Sequence, residues 1–205
     1  MIKVVGIGPG SKEYILPIAK KEIENAKILV GGKRALADFS NENQITFPIT
    51  KDIDGAIEFI KKNTDDVVVM VSGDPGYYSL LDKIIKNFPK DKIIVIPGIS
   101  SLQVAFARLN LPWHHAKLLS FHGRIPKDDE MIFEENKILG MLTDNLYNSK
   151  KIAEVLLNFG WKKNTNFTVF ERLSYEDEKV TNTTLEEAKN SAPISCGVII
   201  VYNEV

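Results

Sequence analysis

The sequence predicts an α/β protein of two domains, and three observations lead there. Short β-branched runs alternate with segments of helical periodicity through the first half. Three turns rich in glycine and proline each follow one of those runs. The pattern breaks at Leu111-Pro112-Trp113, beyond which strand-like segments dominate. The reading is an N-terminal α/β domain over residues 1–111 and a C-terminal α/β domain over 112–205, with a cleft between them.

Taken in order, Ile2–Ile7 reads as a strand, and Ile15, Ile18, Ala19 and Ile23 then recur at helical spacing. Lys27–Val30 is the second strand, ended by Gly31-Gly32. Ile53, Ile57 and Ile60 mark a helix, and Val67–Val71 is a wholly apolar strand. Leu81, Ile84, Ile85 and Phe88 line a further helix, stopped by Pro89. Ile93–Ile96 is a strand, and Leu102, Ala105, Phe106 and Leu109 line the helix after it. Strands apolar on both faces and separated by helices indicate a parallel sheet covered on each side. In the second half Lys117–Phe121, Lys137–Leu142, Phe167–Glu171 and Ser195–Tyr202 read as strands. Ile152, Val155, Leu156 and Phe159 give a helix, while Ser174–Thr184 is polar enough for a hairpin or a loop.

Composition narrows the function classes. The chain has 205 residues, 44% of them hydrophobic and 26% charged, which suits a folded domain with a real core. A net charge of -1 offers no basic footprint for nucleic acid. No apolar window approaches the ~20 residues of a membrane span, and the opening Met-Ile-Lys-Val-Val-Gly does not resemble a signal peptide. The expected compartment is the cytoplasm. The single cysteine, Cys196, excludes an intrachain disulfide, and its apolar surroundings favour a buried structural thiol over a nucleophile. Paired lysines such as Lys61-Lys62, and the acidic run Glu176-Asp177-Glu178, read as solvated surface.

The chemistry concentrates in the turns. Gly6-Ile7-Gly8-Pro9-Gly10 follows the first strand, where glycines allow a sharp turn and close approach of a ligand. Its spacing is not the dinucleotide fingerprint, and the second strand ends in Val30-Gly31-Gly32 where that fingerprint needs a ribose-binding acid. Ser72-Gly73-Asp74-Pro75-Gly76-Tyr77-Tyr78 follows the most apolar strand; Asp74 reads either as a ligand acceptor or as a turn aspartate. Pro97-Gly98-Ile99-Ser100-Ser101 repeats the arrangement, its hydroxyls serving a helix cap or a ligand. Three such turns after three strands point to one binding site at a sheet edge.

In order and over nearly the whole chain, these motifs resemble the tetrapyrrole methylases. The resemblance implies a two-domain α/β enzyme, usually a homodimer, that uses S-adenosylmethionine as methyl donor. It implies cofactor contacts at Pro9, Gly73, Asp74, Tyr77, Ser100, Ser101 and, by position, Leu142. Ser72 is a departure, since many family members have glycine there. Ser120-Phe121-His122-Gly123-Arg124 and Val30-Gly31-Gly32-Lys33-Arg34 resemble the branch that methylates carbon 5 of cobalt-precorrin-7 in cobalamin biosynthesis.

That resemblance implies an acceptor rich in carboxylates, with Ser120, Lys33 and Arg34 binding it, and His122 and Arg124 at the reacting centre. His122 is the candidate base, because an imidazole ordinarily titrates near neutrality. His114, His115 and His122 do not form a metal-binding pattern, so no protein-bound metal is expected; cobalt would arrive inside the substrate. Arg108 and Arg172 are weaker substrate contacts, equally explained as surface residues. Methylation at carbon 15 with decarboxylation is left to a separate partner enzyme. The rival readings are a sibling methylase acting at another ring carbon, diphthine synthase, a nicotinamide-dependent oxidoreductase and a non-catalytic ligand-binding protein.

Overall fold

The computed structural model describes residues 1–195 and 197–203. The reading of Cys196 as a buried thiol lies outside the described residues. The chain divides into two compact units, Met1–Ser100 and the residues from Ser101 onward.

The first unit is a wholly parallel sheet with helices on its faces. Strands β1 (Ile2–Gly6), β2 (Ile28–Gly32), β3 (Ile45–Ile49), β4 (Val67–Val71) and β5 (Ile93–Ile96) lie in the order β3-β2-β4-β1-β5. Helices α1 (Pro17–Asn25), α2 (Lys33–Phe39), α3 (Ile53–Lys62) and α4 (Leu81–Asn87) connect them. Alternate side chains of the inner strands serve two cores. Val4, Val30, Val67 and Val69 join Ile57 and Ile60 of α3 on one face, while Val5, Leu29, Val68 and Met70 join Ala19 and Ile23 of α1 on the other. Both faces of β1, β2 and β4 are therefore apolar, as the sequence predicts.

Strand β5 differs. It lies at the edge, and its Ile94 and Val95 are 41% and 44% exposed, so cover on both faces does not extend to it. Strand β3 and helix α2 are absent from the sequence reading. Pro48 interrupts the β3 pattern and is tolerated at an edge, where a missing N–H costs no inner ladder bond. Helix α2 follows β2 directly through Gly32, with no side-chain cap to announce it.

The second unit begins with α5 (Ser101–Arg108) and continues through β6 (Lys117–Ser120), α6 (Asp128–Met131), β7 (Leu139–Leu142) and α7 (Ser149–Asn158). It ends with β8 (Asn166–Glu171), β9 (Lys179–Thr184), α8 (Leu185–Asn190) and β10 (Val198–Tyr202). Helix α5, assigned from sequence to the first domain, contacts β10 and β7 and so belongs with this unit. The sheet order is β6-β7-β10-β8-β9; among the described residues only β6 and β7 pair in parallel. Leu119, Phe121, Met141, Ile152, Leu156, Trp161, Phe167 and Ile199 belong to its core. The polar segment 174–184 resolves as a hairpin, since β9 pairs antiparallel with β8 from Glu171↔Lys179 onward.

Candidate functional site

In the first unit the three glycine-rich turns meet at the carboxyl edge of the sheet. The ladders bring this about: Gly6 at the end of β1 stands opposite Val71, and Val5 opposite Ile96. Beyond the strands the turns remain bonded. Ile7 N–H donates to Val71 C=O at 3.0 Å, and Gly8 and Gly73 exchange backbone bonds at 3.4 and 2.8 Å. A Cβ on Gly98 would run into the Gly73 carbonyl oxygen, and one on Gly6 would stand 2.6 Å from that same atom. Only glycine permits this approach of three backbones.

Asp74 ties two of the turns together. Its Oδ1 accepts from Gly76 N–H at 2.7 Å within its own turn, and its Oδ2 accepts from Gly98 N–H at 3.0 Å in the turn after β5. Of the two sequence readings of Asp74, these bonds bear out the turn aspartate, which reaches into the neighbouring turn as well. Pro9, Gly73, Asp74, Tyr77 and Ser100 all lie on these turns and are all partly exposed. Tyr77 meets Tyr78 edge to face, centroids 4.7 Å apart. Lys33 and Arg34 start α2 at the end of β2, on the same sheet edge and exposed.

The second unit gathers a different set. Parallel pairing of β6 and β7 sets Ser120 opposite Leu142, and Phe121 N–H adds a last rung to Leu142 C=O at 2.8 Å. The loop 122–125 then leaves the sheet and is exposed. Ser120 itself is 1% exposed, and its Oγ accepts His122 N–H at 3.3 Å, so within this unit it shapes the loop. His122 Nδ1 lies 3.4 Å from Thr143 C=O. A carbonyl only accepts, so this long contact favours the tautomer with the proton on Nδ1 and leaves Nε2 as the basic nitrogen. Arg124 follows on the same exposed loop. Ser101, the remaining cofactor candidate, is the first residue of α5.

Asp144 is a member of this group that the sequence reading did not single out. Its Oδ2 accepts Gly123 N–H at 3.0 Å, and its Oδ1 accepts Leu146 and Tyr147 N–H at 2.9 and 2.7 Å. The Gly123 bond, then the Tyr147 bond, holds its carboxyl below the usual aspartate range; partial burial opposes them. A signal was present, because Thr143-Asp144 follows the apolar strand β7 much as Asp74 follows β4.

The weaker cation candidates are engaged elsewhere on the second unit. Arg108 forms a two-pronged pair with Glu178, at 2.8 and 3.3 Å, which holds the Glu178 carboxyl low. Arg172 pairs with Asp177 and stacks over Tyr175 at 4.7 Å. The acidic run 176–178, read as solvated, thus supplies ion-pair partners to α5 through Glu178 and within the hairpin through Asp177.

Comparison with known proteins identifies the family. A family model of the tetrapyrrole (corrin/porphyrin) methylases matches residues 1–189. A probable cobalt-precorrin-7 C(5)-methyltransferase of Methanocaldococcus jannaschii is 34% identical, covering 93% of this chain and 92% of its own. A cobalt-precorrin-7 C(5)-methyltransferase of Salmonella typhimurium is 30% identical over 88% of this chain and 89% of its own. Among solved structures, a uroporphyrin-III C-methyltransferase of Thermus thermophilus, complexed with S-adenosylhomocysteine, superposes with a TM-score of 0.80. It has 20% identity and covers 98% of this chain and 91% of its own.

Proposed function

The chain belongs to the tetrapyrrole (corrin/porphyrin) methylases, and from that premise we propose that it transfers a methyl group from S-adenosylmethionine to carbon 5 of cobalt-precorrin-7, or its metal-free counterpart, in cobalamin biosynthesis. The observation that carries the reading is likeness, over nearly the full length of both chains, to relatives named for that reaction.

The first unit fits the cofactor. Its interlocked turns are rich in glycine where they meet, and a Cβ at Gly73 would have no neighbour nearer than 3.6 Å. Pro9, Gly73, Tyr77 and Ser100 are the residues that would hold the cofactor there, with Asp74 fixing the turns; Ser101 and Leu142 of the second unit are further proposed contacts. The glycine end of β2 supplies no acid for a nicotinamide ribose, which disfavours the oxidoreductase reading. When bound, S-adenosylmethionine supplies an activated methyl group on sulfur.

The chain's task is then alignment, exclusion of water and handling of one proton. Arg124, with Lys33 and Arg34, orients acceptor carboxylates through charge-assisted bonds. His122 Nε2 takes up the proton that the acceptor gives up after methylation. We propose further that the protein works as a cytoplasmic homodimer, and that a separate enzyme methylates carbon 15 and removes the carboxylate. Among the described residues no helix is long and apolar enough to cross a membrane.

The test incubates purified protein with S-adenosylmethionine and cobalt-precorrin-7 and locates the new methyl group by mass spectrometry and NMR. Methylation at carbon 5, with one S-adenosylmethionine site and no NAD site by calorimetry, is the expected result. A methyl group at another ring carbon, or on the modified histidine of a translation factor, would replace the reading with a sibling activity. Binding of S-adenosylmethionine without turnover of any precorrin would leave a ligand-binding protein.

A further inference from the structure

We infer that Asp144 is a positioning residue, which holds the loop of His122 and Arg124 in the arrangement that receives the acceptor; this rests on the function proposed above. The parallel ladder of β6 and β7 ends at the bond from Phe121 N–H to Leu142 C=O. Past that rung the exposed loop is drawn back to the β7 side through the Asp144 carboxylate, which accepts Gly123 N–H at 3.0 Å. Gly123 has φ +67, a conformation other residues adopt only with strain, and it stands between the two side chains assigned to the acceptor.

Asp144 can serve as an anchor because its own backbone is fixed. Thr143 is 4% exposed and is bonded to Gly197 through N–H to C=O at 3.2 Å, and through Oγ1 at 3.0 and 2.7 Å. On the other side, Leu146 and Tyr147 N–H hold Oδ1. The carboxylate thus accepts from two loops at once, and the anchored loop carries His122, whose ring reaches Thr143 C=O at the same strand end.

The arrangement needs two acceptor oxygens. An amide has one, so in Asp144→Asn the side chain would face either Gly123 or the 146–147 pair with an N–H directed at an N–H. A serine hydroxyl can still cap the 144–147 turn but is too short to reach both loops. Asp144→Asn and Asp144→Ser therefore loosen loop 122–125 by different routes, and the second variant guards against a folding defect peculiar to the first.

The experiment measures amide hydrogen exchange and steady-state kinetics on the full chain. In both variants, peptides over 121–125 should exchange roughly tenfold faster, as expected when a local opening loses a bond of this strength. Peptides over α7 should stay unchanged. The acceptor kcat/KM should fall by about 10–100-fold, the scale of a small misplacement of reacting groups, with S-adenosylmethionine affinity within about twofold of the intact protein. Unchanged exchange over 121–125 overturns the inference, as does faster exchange with unchanged acceptor kinetics, or a parallel loss of cofactor binding. If the intact protein methylates no precorrin, the proposed function fails, while loop exchange still decides whether Asp144 holds the loop.

Discussion

The two units solve one problem with the same device and different redundancy. Each ties the loop after one strand to a neighbouring loop through an aspartate that accepts N–H groups from both: Asp74 from Gly76 and Gly98, Asp144 from Leu146, Tyr147 and Gly123. In the first unit the tie is backed by the Gly8–Gly73 exchange and by the contact of Gly6, Gly73 and Gly98 backbones. In the second, loop 122–125 is exposed beyond its last ladder rung, with Ile125 at 61%, and Leu146 of the loop that anchors it is at 74%. A rigid set of turns suits the role proposed for the first unit, holding a small flexible cofactor in one orientation. A loop held at few points suits a large acceptor that must enter and leave.

The largest expected effect tests the second unit. His122→Ala should lower kcat by ~10²–10⁴-fold, the range for a lost general base, and remove the limb of the pH profile on which that base gains its proton. Cofactor affinity should not change. A drop below tenfold with an unaltered profile would leave His122 as a bystander, and loss of cofactor binding would erase the division of labour between the units.

Next comes Asp74→Ala in the first unit. It strands the Gly76 and Gly98 N–H groups, which costs about 1–3 kcal/mol, and should weaken S-adenosylmethionine binding by up to that amount. Redundancy from the glycine contacts predicts that the unit stays folded, which circular dichroism and a thermal melt would check. Unfolding with normal affinity in the folded fraction would make Asp74 purely a turn residue.

Much of the first unit was legible because its physics is local. Apolar residues on both faces of β1 and β4, and glycine where backbones touch, leave marks at the positions concerned. Edge strand β3 was missed because Pro48 and its exposed positions carry no such pattern. Helix α8 had a readable signal that went unread: Thr184 and Glu187 form a capping box, at 3.3 and 3.0 Å. Asp144 was hidden for another reason. Its defining partner, Gly123, lies 21 residues earlier on a different loop, and parallel strand pairing alone brings them together. The Gly98 partner of Asp74 is equally remote, at 24 residues, yet Asp74 sits inside a turn whose glycines mark it.

A smaller effect separates binding from chemistry in the second unit. Arg124→Ala should raise the acceptor KM by about tenfold or more, as for a lost charge-assisted bond. The value of kcat should hold, because such a pair contributes alike to ground and transition states. Arg124→Lys should recover only part of the loss, since an ammonium cannot grip a carboxylate with two parallel bonds. Equal losses in kcat and kcat/KM would place Arg124 in the transition state and sharpen the contrast with the first unit further.

The smallest effect concerns stability and pH. Asp144 has its carboxyl held below the ordinary aspartate range by N–H donors from two loops. A group whose pKa is lowered by folding stabilises the folded state above its unfolded value, about 3.9, and that contribution disappears as pH falls through the lower folded value. At neutral pH, Asp144→Asn should therefore melt below the intact protein. Solvent around a partly exposed carboxylate keeps the loss on the order of 1 kcal/mol, or ~2–4 °C in a chain of this size. On acidification below about pH 4 the unfolded chain takes up its proton at 144 first and the gap should narrow. It should close below the lower folded value, where the intact protein carries a protonated carboxyl that resembles the amide. A gap that stays constant from neutral to acid pH would mean that the charge at 144 is not what holds the loop, and the likeness between the two aspartates would reduce to turn geometry alone.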